Sequence, residues 1–306
     1  MIRQFRTDDA AAVSAILHED KVPHAVTSAG VLHLRDGQPA RAHARMWVAE
    51  EDGQIVGWAE ARIRWTTSVE DVGDVWAYVR PTERGRGIGA SLYARTEEHV
   101  LGRGARVLES WTYTQAGAGL LEARGFRATG TERISMLNLE DADTSALASL
   151  EATKEAEGFR LTPLREVREQ TAELHCVYAA ASADVPEYFQ ENDVRLDEWR
   201  AETLDHPQLS LDGSFVVLAG TRPVALALLE VDEPAGLAAN EMTGTLPEFR
   251  RRGLARLAKL ATIRWAAAHG ISRILTGNAE ANVGMLRLNE SLGYQPVQTE
   301  THFVRE

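Results

Sequence analysis

The sequence predicts an α/β protein built as two tandem copies of one fold, each a mixed, mostly antiparallel sheet flanked by helices. Two observations carry this. A strand, an arginine-glycine turn and an amphipathic helix follow one another twice. Arg84, Gly87, Gly89 and Gly104 each precede Arg250, Gly253, Ala255 and Gly270 by 166 residues. The flanks repeat as well, since WVAEEDGQIVGWAEARI and FVVLAGTRPVALALLEV lie 168 residues apart, as do Gly125-Phe126 and Gly293-Tyr294. A period of that length marks a duplicated domain rather than a solenoid unit.

In chain order, residues 2–6 read as a strand, and Thr7 or Asp8 caps an alanine-rich helix running to about Leu17. Residues 18–45 look irregular and polar. Strands follow at 46–50 and 54–64, joined by a turn at Asp52-Gly53, and then at 75–79. A helix over 87–101 leads to a strand at 107–112, a short helix into Gly125-Phe126, and a last strand near 133–139. Residues 141–158 read as a helical linker capped by Asp143 or Thr144 and ended by Gly158. The second copy opens with a strand at 159–164, helices over 165–181 and 197–204, and a hairpin of 215–218 with 224–231. It continues with a strand at 241–245, a helix after Gly253 and a strand at 274–277. Leu254, Leu257, Ala261, Trp265 and Ala268 recur at helical spacing and predict that helix's inward face. The domains are therefore drawn as 1–140, a linker 141–158, and 159–306.

The chain of 306 residues suits two ordinary domains. It has no apolar run long enough for a bilayer and no apolar leader after Met1, so the expected address is cytoplasmic. Cys176 is the only cysteine, which excludes an intrachain disulfide, and no cysteine-based metal site is expected. Its apolar neighbours Leu174 and Val177 suggest an inert core thiol. A net charge of −12 argues against a nucleic-acid partner and suits cationic small substrates or plain solubility. The tryptophans Trp47, Trp58, Trp65, Trp76 and Trp111 read as aromatic core. His175, His206, His269 and His302 lack ligand spacing, and no metal site is expected.

The turn between strand and helix carries the chemistry. Gly253 admits a ligand close to the backbone, and the first helical amides have no intrahelical partner. With Arg250, Arg251 and Arg252 beside them, these amides form a ready site for a diphosphate. The first copy offers Arg84 to Ala90 in the same place. A phosphate loop of the G-x-x-x-x-G-K-[ST] type is absent, and GRGIG lacks the last glycine of a dinucleotide fingerprint.

A strand ending in x-P-x-x-R-x-x-G-x-G/A, then a helix, a strand and a distal Gly-aromatic pair, resembles the GNAT acyl-CoA N-acetyltransferase superfamily. The match covers both halves and resembles tandem, mycothiol-synthase-like members. The resemblance implies acetyl-CoA as cofactor, with coenzyme A as product. Its diphosphate would lie on the amides of Arg251, Arg252, Gly253, Leu254 and Ala255, or on Gly85, Arg86, Gly87, Ile88, Gly89 and Ala90. The strand ends Thr245-Leu246 and Val79-Arg80 would pair with the pantetheine arm. Asn282 would reach that arm or cap the following helix.

An alkylammonium with a pKa near ~10.4 costs about 4–5 kcal/mol to deprotonate at pH 7, so a base is needed. Even spacing places Glu241, Thr243 and Thr245 on one strand face, and Glu241 is the predicted base. Gly73, Val75 and Ala77 hold those positions in the first copy, and Asp74 faces the other way. The tyrosine that many members place four residues before the Gly-aromatic pair is Asn289 here and Leu121 in the first copy. Asn289 can donate to a sulfur but cannot supply a proton. Thr114 replaces the first copy's asparagine. The second domain is thus expected to be catalytic and the first degenerate. The expected function is transfer of acetyl to a primary amine of a small cationic molecule in a ternary complex, by a monomer or homodimer. The rival is a non-catalytic acyl-CoA sensor or scaffold.

Overall fold

The computed structural model describes residues 1–19, 24–186 and 188–306. Its elements follow the predicted order. They are β1 (Ile2–Gln4), α1 (Ala10–His18), α2 (Ser28–Asp36), β2 (Arg45–Glu51), β3 (Gln54–Ile63), β4 (Val72–Val79), α3 (Ile88–Leu101), β5 (Val107–Thr112), α4 (Gln115–Ala123) and β6 (Arg127–Asn138). The second copy supplies α5 (Leu147–Ala156), β7 (Phe159–Pro163), α6 (Thr171–Ser182), α7 (Leu196–Trp199), β8 (Phe215–Ala219), β9 (Arg222–Asp232), β10 (Leu237–Thr245), α8 (Leu254–Ala268), β11 (Arg273–Ala279), α9 (Val283–Ser291) and β12 (Gln295–Arg305). None of the described helices is long and apolar enough to cross a membrane.

Two compact units result. Unit 1 comprises Met1–Glu132 with Gln298–Glu306, and unit 2 comprises Arg133–Val297. In unit 1 the strand order is β1-β2-β3-β4-β5-β12; in unit 2 it is β6-β11-β10-β9-β8-β7. The division departs from the expected 1–140 and 159–306. The last strand, drawn with the second copy, pairs antiparallel with β5 from Thr301↔Thr112 to Arg305↔Leu108. Residues 133–138 group instead with unit 2, as does α5. Two copies of one sheet present equivalent sockets, and strand alternation does not encode which socket a strand enters.

Local corrections have local causes. Residues 18–45 contain α2, capped by the Thr27 hydroxyl accepting from Gly30 N at 3.0 Å; residues 20–23 lie outside the described set. Neither Thr7 nor Asp8 caps α1. Asp9 accepts from Arg6 N at 2.7 Å, leading in a short 3₁₀ turn. No side chain caps α5, because Asp143 spends its carboxylate on Ser145 N at 2.8 Å. In unit 2 the helix expected from 165 starts only at Thr171, after a 3₁₀ turn at Leu164–Glu166. Cys176 is exposed, on the outer face of α6, not in the core.

Helix α8 buries Leu254, Leu257, Ala258, Leu260, Ala261, Ile263 and Ala266. Trp265 is only partly buried and Ala268 is exposed. The buried stripe therefore leaves the predicted face after two turns. Together with β7, β8 and β9, these side chains form the main core of unit 2.

Candidate active site

In each unit one pair of parallel neighbours comes apart, and this opens a cleft. Strands β10 and β11 pair only from Leu237↔Arg273 to Ala239↔Leu275. Strands β4 and β5 pair only from Val72↔Val107 to Asp74↔Glu109. Beyond those points the ends of β4 and β10 have ladder partners on one side alone. The turn after each strand then starts a helix. Gly253 (φ 78°) and Gly87 (φ 80°) occupy the N-cap positions of α8 and α3, and no side chain caps either helix. By contrast α4 and α9 are capped by Thr114, accepting from Gly117 N at 3.0 Å, and by Asn282, accepting from Met285 N at 3.2 Å. The two turn helices thus keep free the donors that a diphosphate would take.

The arginines divide their work. Arg84 Nε donates to Val79 O at 2.9 Å, and Arg250 Nε donates to Thr245 O at 3.0 Å. Arg250 also donates to Ala180 O at 3.2 Å and pairs with Asp184. Both arginines latch the turn to the preceding strand. Arg252 lies over the Phe159 ring at 4.6 Å, and Arg86 pairs with Glu51 at 2.8 Å and with Glu83. Arg251 is exposed, with φ 58°, and makes none of these contacts. The Leu246 amide is donated to Val224 O and the Arg80 amide to Val56 O, each at 2.9 Å, so neither is open to a pantetheine arm.

In unit 1 the cleft is a cavity of about 330 Å³ along Tyr78, Val79 and the turn from Arg84 to Ala90, closed by Trp111, Tyr113 and Leu120. Gly85 and Gly87, at φ 81° and 80°, have open space where a Cβ would stand. This cradle fits a diphosphate with an extended thioester arm. Asp74, fully buried, is paired with Arg62 at 3.0 Å and Arg64 at 2.9 Å and is no base.

The parity argument for Glu241 fails, and the reason is a bulge. Asn240 pairs with Leu229 and Thr243 with Ala227, so Glu241 and Met242 together oppose Leu228. Asn240 and Thr243 share the face of Leu229 and Ala227, while Glu241 is turned to the other. Helix α8 covers the first face, where Lys259 Nζ donates to Asn240 Oδ1 at 2.9 Å. Helix α6 covers the second, where Tyr178 Oη donates to Glu241 Oε1 at 3.3 Å. Gly244 permits that helix to come close, since a Cβ there would overlap Ala181. No register shift marks the matching pairing of β3 with β4.

Glu241 belongs to an acidic group in unit 2. Burial, and then Glu230, Glu191 and Glu202, push its carboxyl well above the usual range. Burial and Glu202 raise Glu230 to about 7. Tyr178 is raised well above 10, first by burial and then by Glu241. Glu241 Oε2 is buried and has no hydrogen-bond partner among the described residues. His206 Nδ1 stands 3.3 Å from Glu230 Oε1, while the unpartnered oxygen of Glu241 favours a positive charge beside it. Glu202, Glu191 and Tyr178 sit on segments with no motif, and sequence reading missed them. The alternation of Glu230 along β9 was the sole available hint.

Asn289 is buried, and its amide donates to Asn278 Oδ1 at 2.6 Å. Asn282 spends its carbonyl on the cap already described.

The Acetyltransferase (GNAT) family model matches residues 14–126 and again 162–294. A mycothiol acetyltransferase of Thermobispora bispora is 27% identical over 275 residues, covering 86% of this chain and 84% of that protein. One from Nocardiopsis dassonvillei is 28% identical over 298 residues, at 89% and 85% coverage. Among solved structures, a tandem GNAT protein from the clavulanic acid biosynthesis pathway superposes with a TM-score of 0.75 at 19% identity, covering 100% of this chain and 98% of the other. A GCN5-related N-acetyltransferase from Sphaerobacter thermophilus gives 0.69 at 17% identity, covering 100% and 95%.

Proposed function

Given that the chain belongs to the acetyltransferase (GNAT) family and is an acyltransferase of tandem architecture, we propose that unit 2 acetylates a primary amine of a small cationic molecule. Acetyl-CoA, when bound, supplies the thioester. The amides of Gly253, Leu254 and Ala255 and the exposed Arg251 would hold its diphosphate, and the edge of β10 that β11 leaves would hold its arm. Unit 1 would keep an acyl-CoA cleft without turnover.

The observation that carries this reading is Glu241 at the bulge, with one oxygen unpartnered and three further carboxylates around it. An acceptor ammonium would pair with that oxygen. Glu241 then takes its proton, which leaves the nitrogen lone pair free to attack the acyl carbon. Tyr178 holds the carboxylate in place through Oε1 and leaves Oε2 for the substrate. The departing thiolate is protonated from solvent, because Asn289 has no acidic proton to give.

Release of free thiol from acetyl-CoA, followed against a library of primary amines including the acceptor of the mycothiol acetyltransferases, tests the assignment. Turnover should appear with cationic amines. It should fall by about 10²–10⁴-fold in Glu241→Gln, with acetyl-CoA affinity little changed. Tight acetyl-CoA binding with no turnover on any amine would favour a non-catalytic acyl-CoA-binding protein instead.

A further inference from the structure

Residues of unit 1 on β5, on β12 and on the opening stretch of β6 before Arg133 bring together side chains that no sequence spacing announces. Glu132 comes from β6, Glu300 and His302 from β12, and Glu109 from β5. His302 Nε2 lies 3.0 Å from a Glu300 oxygen and 3.8 Å from a Glu132 oxygen. The three candidate donor atoms all fall within 4.8 Å of one another. Around a tetrahedral ion with bonds of about 2.0–2.2 Å, ligand atoms stand roughly 3.4 Å apart. The observed distances bracket that value.

We propose that Glu132, Glu300 and His302 Nε2 bind one divalent first-row transition ion, with zinc the best match, and leave a fourth position to water. The surroundings are those such an ion requires. His302 Nδ1 faces Glu109 Oε1 at 3.6 Å, so a proton on Nδ1 would lie toward a carboxylate and leave the Nε2 lone pair for the ion. Glu109 is itself paired with Arg64 at 2.5 Å. Glu109 thus stands as the outer partner of His302, and Glu300 is the buried donor of the three.

Charge points the same way. Arg62 and Arg64 between them answer Asp74 and Glu109. That leaves the carboxylates of Glu132 and Glu300, whose charge a dication at His302 Nε2 would offset. A nitrogen donor in a set of three is poorly suited to magnesium, which prefers an octahedron of oxygens. The site adjoins the unit 1 cleft, because Trp111 and Tyr113 line that cleft while Trp111 stacks on His302 with centroids 6.2 Å apart. None of this depends on the acetyl-transfer reading of unit 2.

The test uses the full, untagged chain stripped with a chelator, titrated calorimetrically with Zn²⁺ and followed with Co²⁺ by visible absorption and tryptophan quenching. The expected result is one ion per chain at micromolar or tighter affinity, not displaced by millimolar Mg²⁺. His302→Gln should weaken binding at least about 100-fold and Glu109→Gln about 10–100-fold, the usual effect of losing an outer partner. If His302→Gln does not fold, as judged by its melt, half-exposed Glu132→Gln decides the matter with an expected loss of at least tenfold. No uptake at millimolar Zn²⁺, or equal uptake by Glu132→Gln and the parent, overturns the proposal. The cluster would then be an imidazolium held by carboxylates.

Discussion

Arg250 donates its Nε hydrogen to the Thr245 carbonyl at 3.0 Å, closing the turn back onto the strand that enters it. Arg84 and Val79 repeat the bond at 2.9 Å in the other unit. The arginine that marks the motif thus shapes the anion cradle from behind. Arg250→Ala should loosen the turn and raise the dissociation constant for acetyl-CoA about tenfold, the effect of one charged hydrogen bond. Turnover at saturating cofactor should change far less. Titration of both proteins with acetyl-CoA checks it; equal affinities would show that the latch does not shape the site.

Glu241 couples activity to pH and to stability. Its carboxyl is raised, so the base form appears only as pH climbs above the usual carboxylate range. The rising limb of kcat/KM should be displaced upward accordingly and vanish in Glu241→Gln. Stability runs the opposite way. The unfolded chain gives up this proton near 4.5 while the folded one retains it, so folding weakens as pH rises through that window. Glu241→Gln should therefore be the more stable protein at pH 7, by about 1–3 kcal/mol, measurable as a higher urea midpoint. A destabilised variant would contradict the unpartnered placement of Oε2.

Lys259 is a second buried charge, on the other face of β10. Burial lowers its amine from 10.5 to about 7, and its partners are Asn240 Oδ1 and the Tyr294 ring at 4.9 Å. Between those values the unfolded chain binds the proton and the folded chain does not, so the parent's stability should rise with pH across them. Lys259→Met should flatten that rise and gain about 1–3 kcal/mol near pH 7. Asn240 keeps the Tyr294 hydroxyl, which donates at 2.8 Å. Melting curves at pH 7 and pH 9 for both proteins decide it.

Much of this was legible in the sequence. The duplicated turn gave the family resemblance, and the helices expected at Gly87 and after Gly253 do begin there, each glycine at positive φ. Strand β5 falls where alternation and flanking turns placed it. The bulge at Glu241–Met242 was not legible, because period-two counting assumes an unbroken ladder, and one inserted residue reverses every face beyond it. The company of Glu241 was hidden for a different reason. Glu191, Glu202 and Glu230 converge through tertiary packing, and no local spacing reports that. His302 was dismissed for lack of ligand spacing, yet its neighbours Glu109 and Glu132 lie far back along the chain.

The pairing of β12 with β5 has a consequence for biogenesis. Residues 298–306 are synthesised after the whole of unit 2, yet they add a strand beside β5 in the sheet that holds Ile2. The first-made half must wait, one strand short and with the flank of β5 uncovered, until residues 298–306 emerge. Dividing the gene at the linker would leave the amino-terminal product lacking its closing strand.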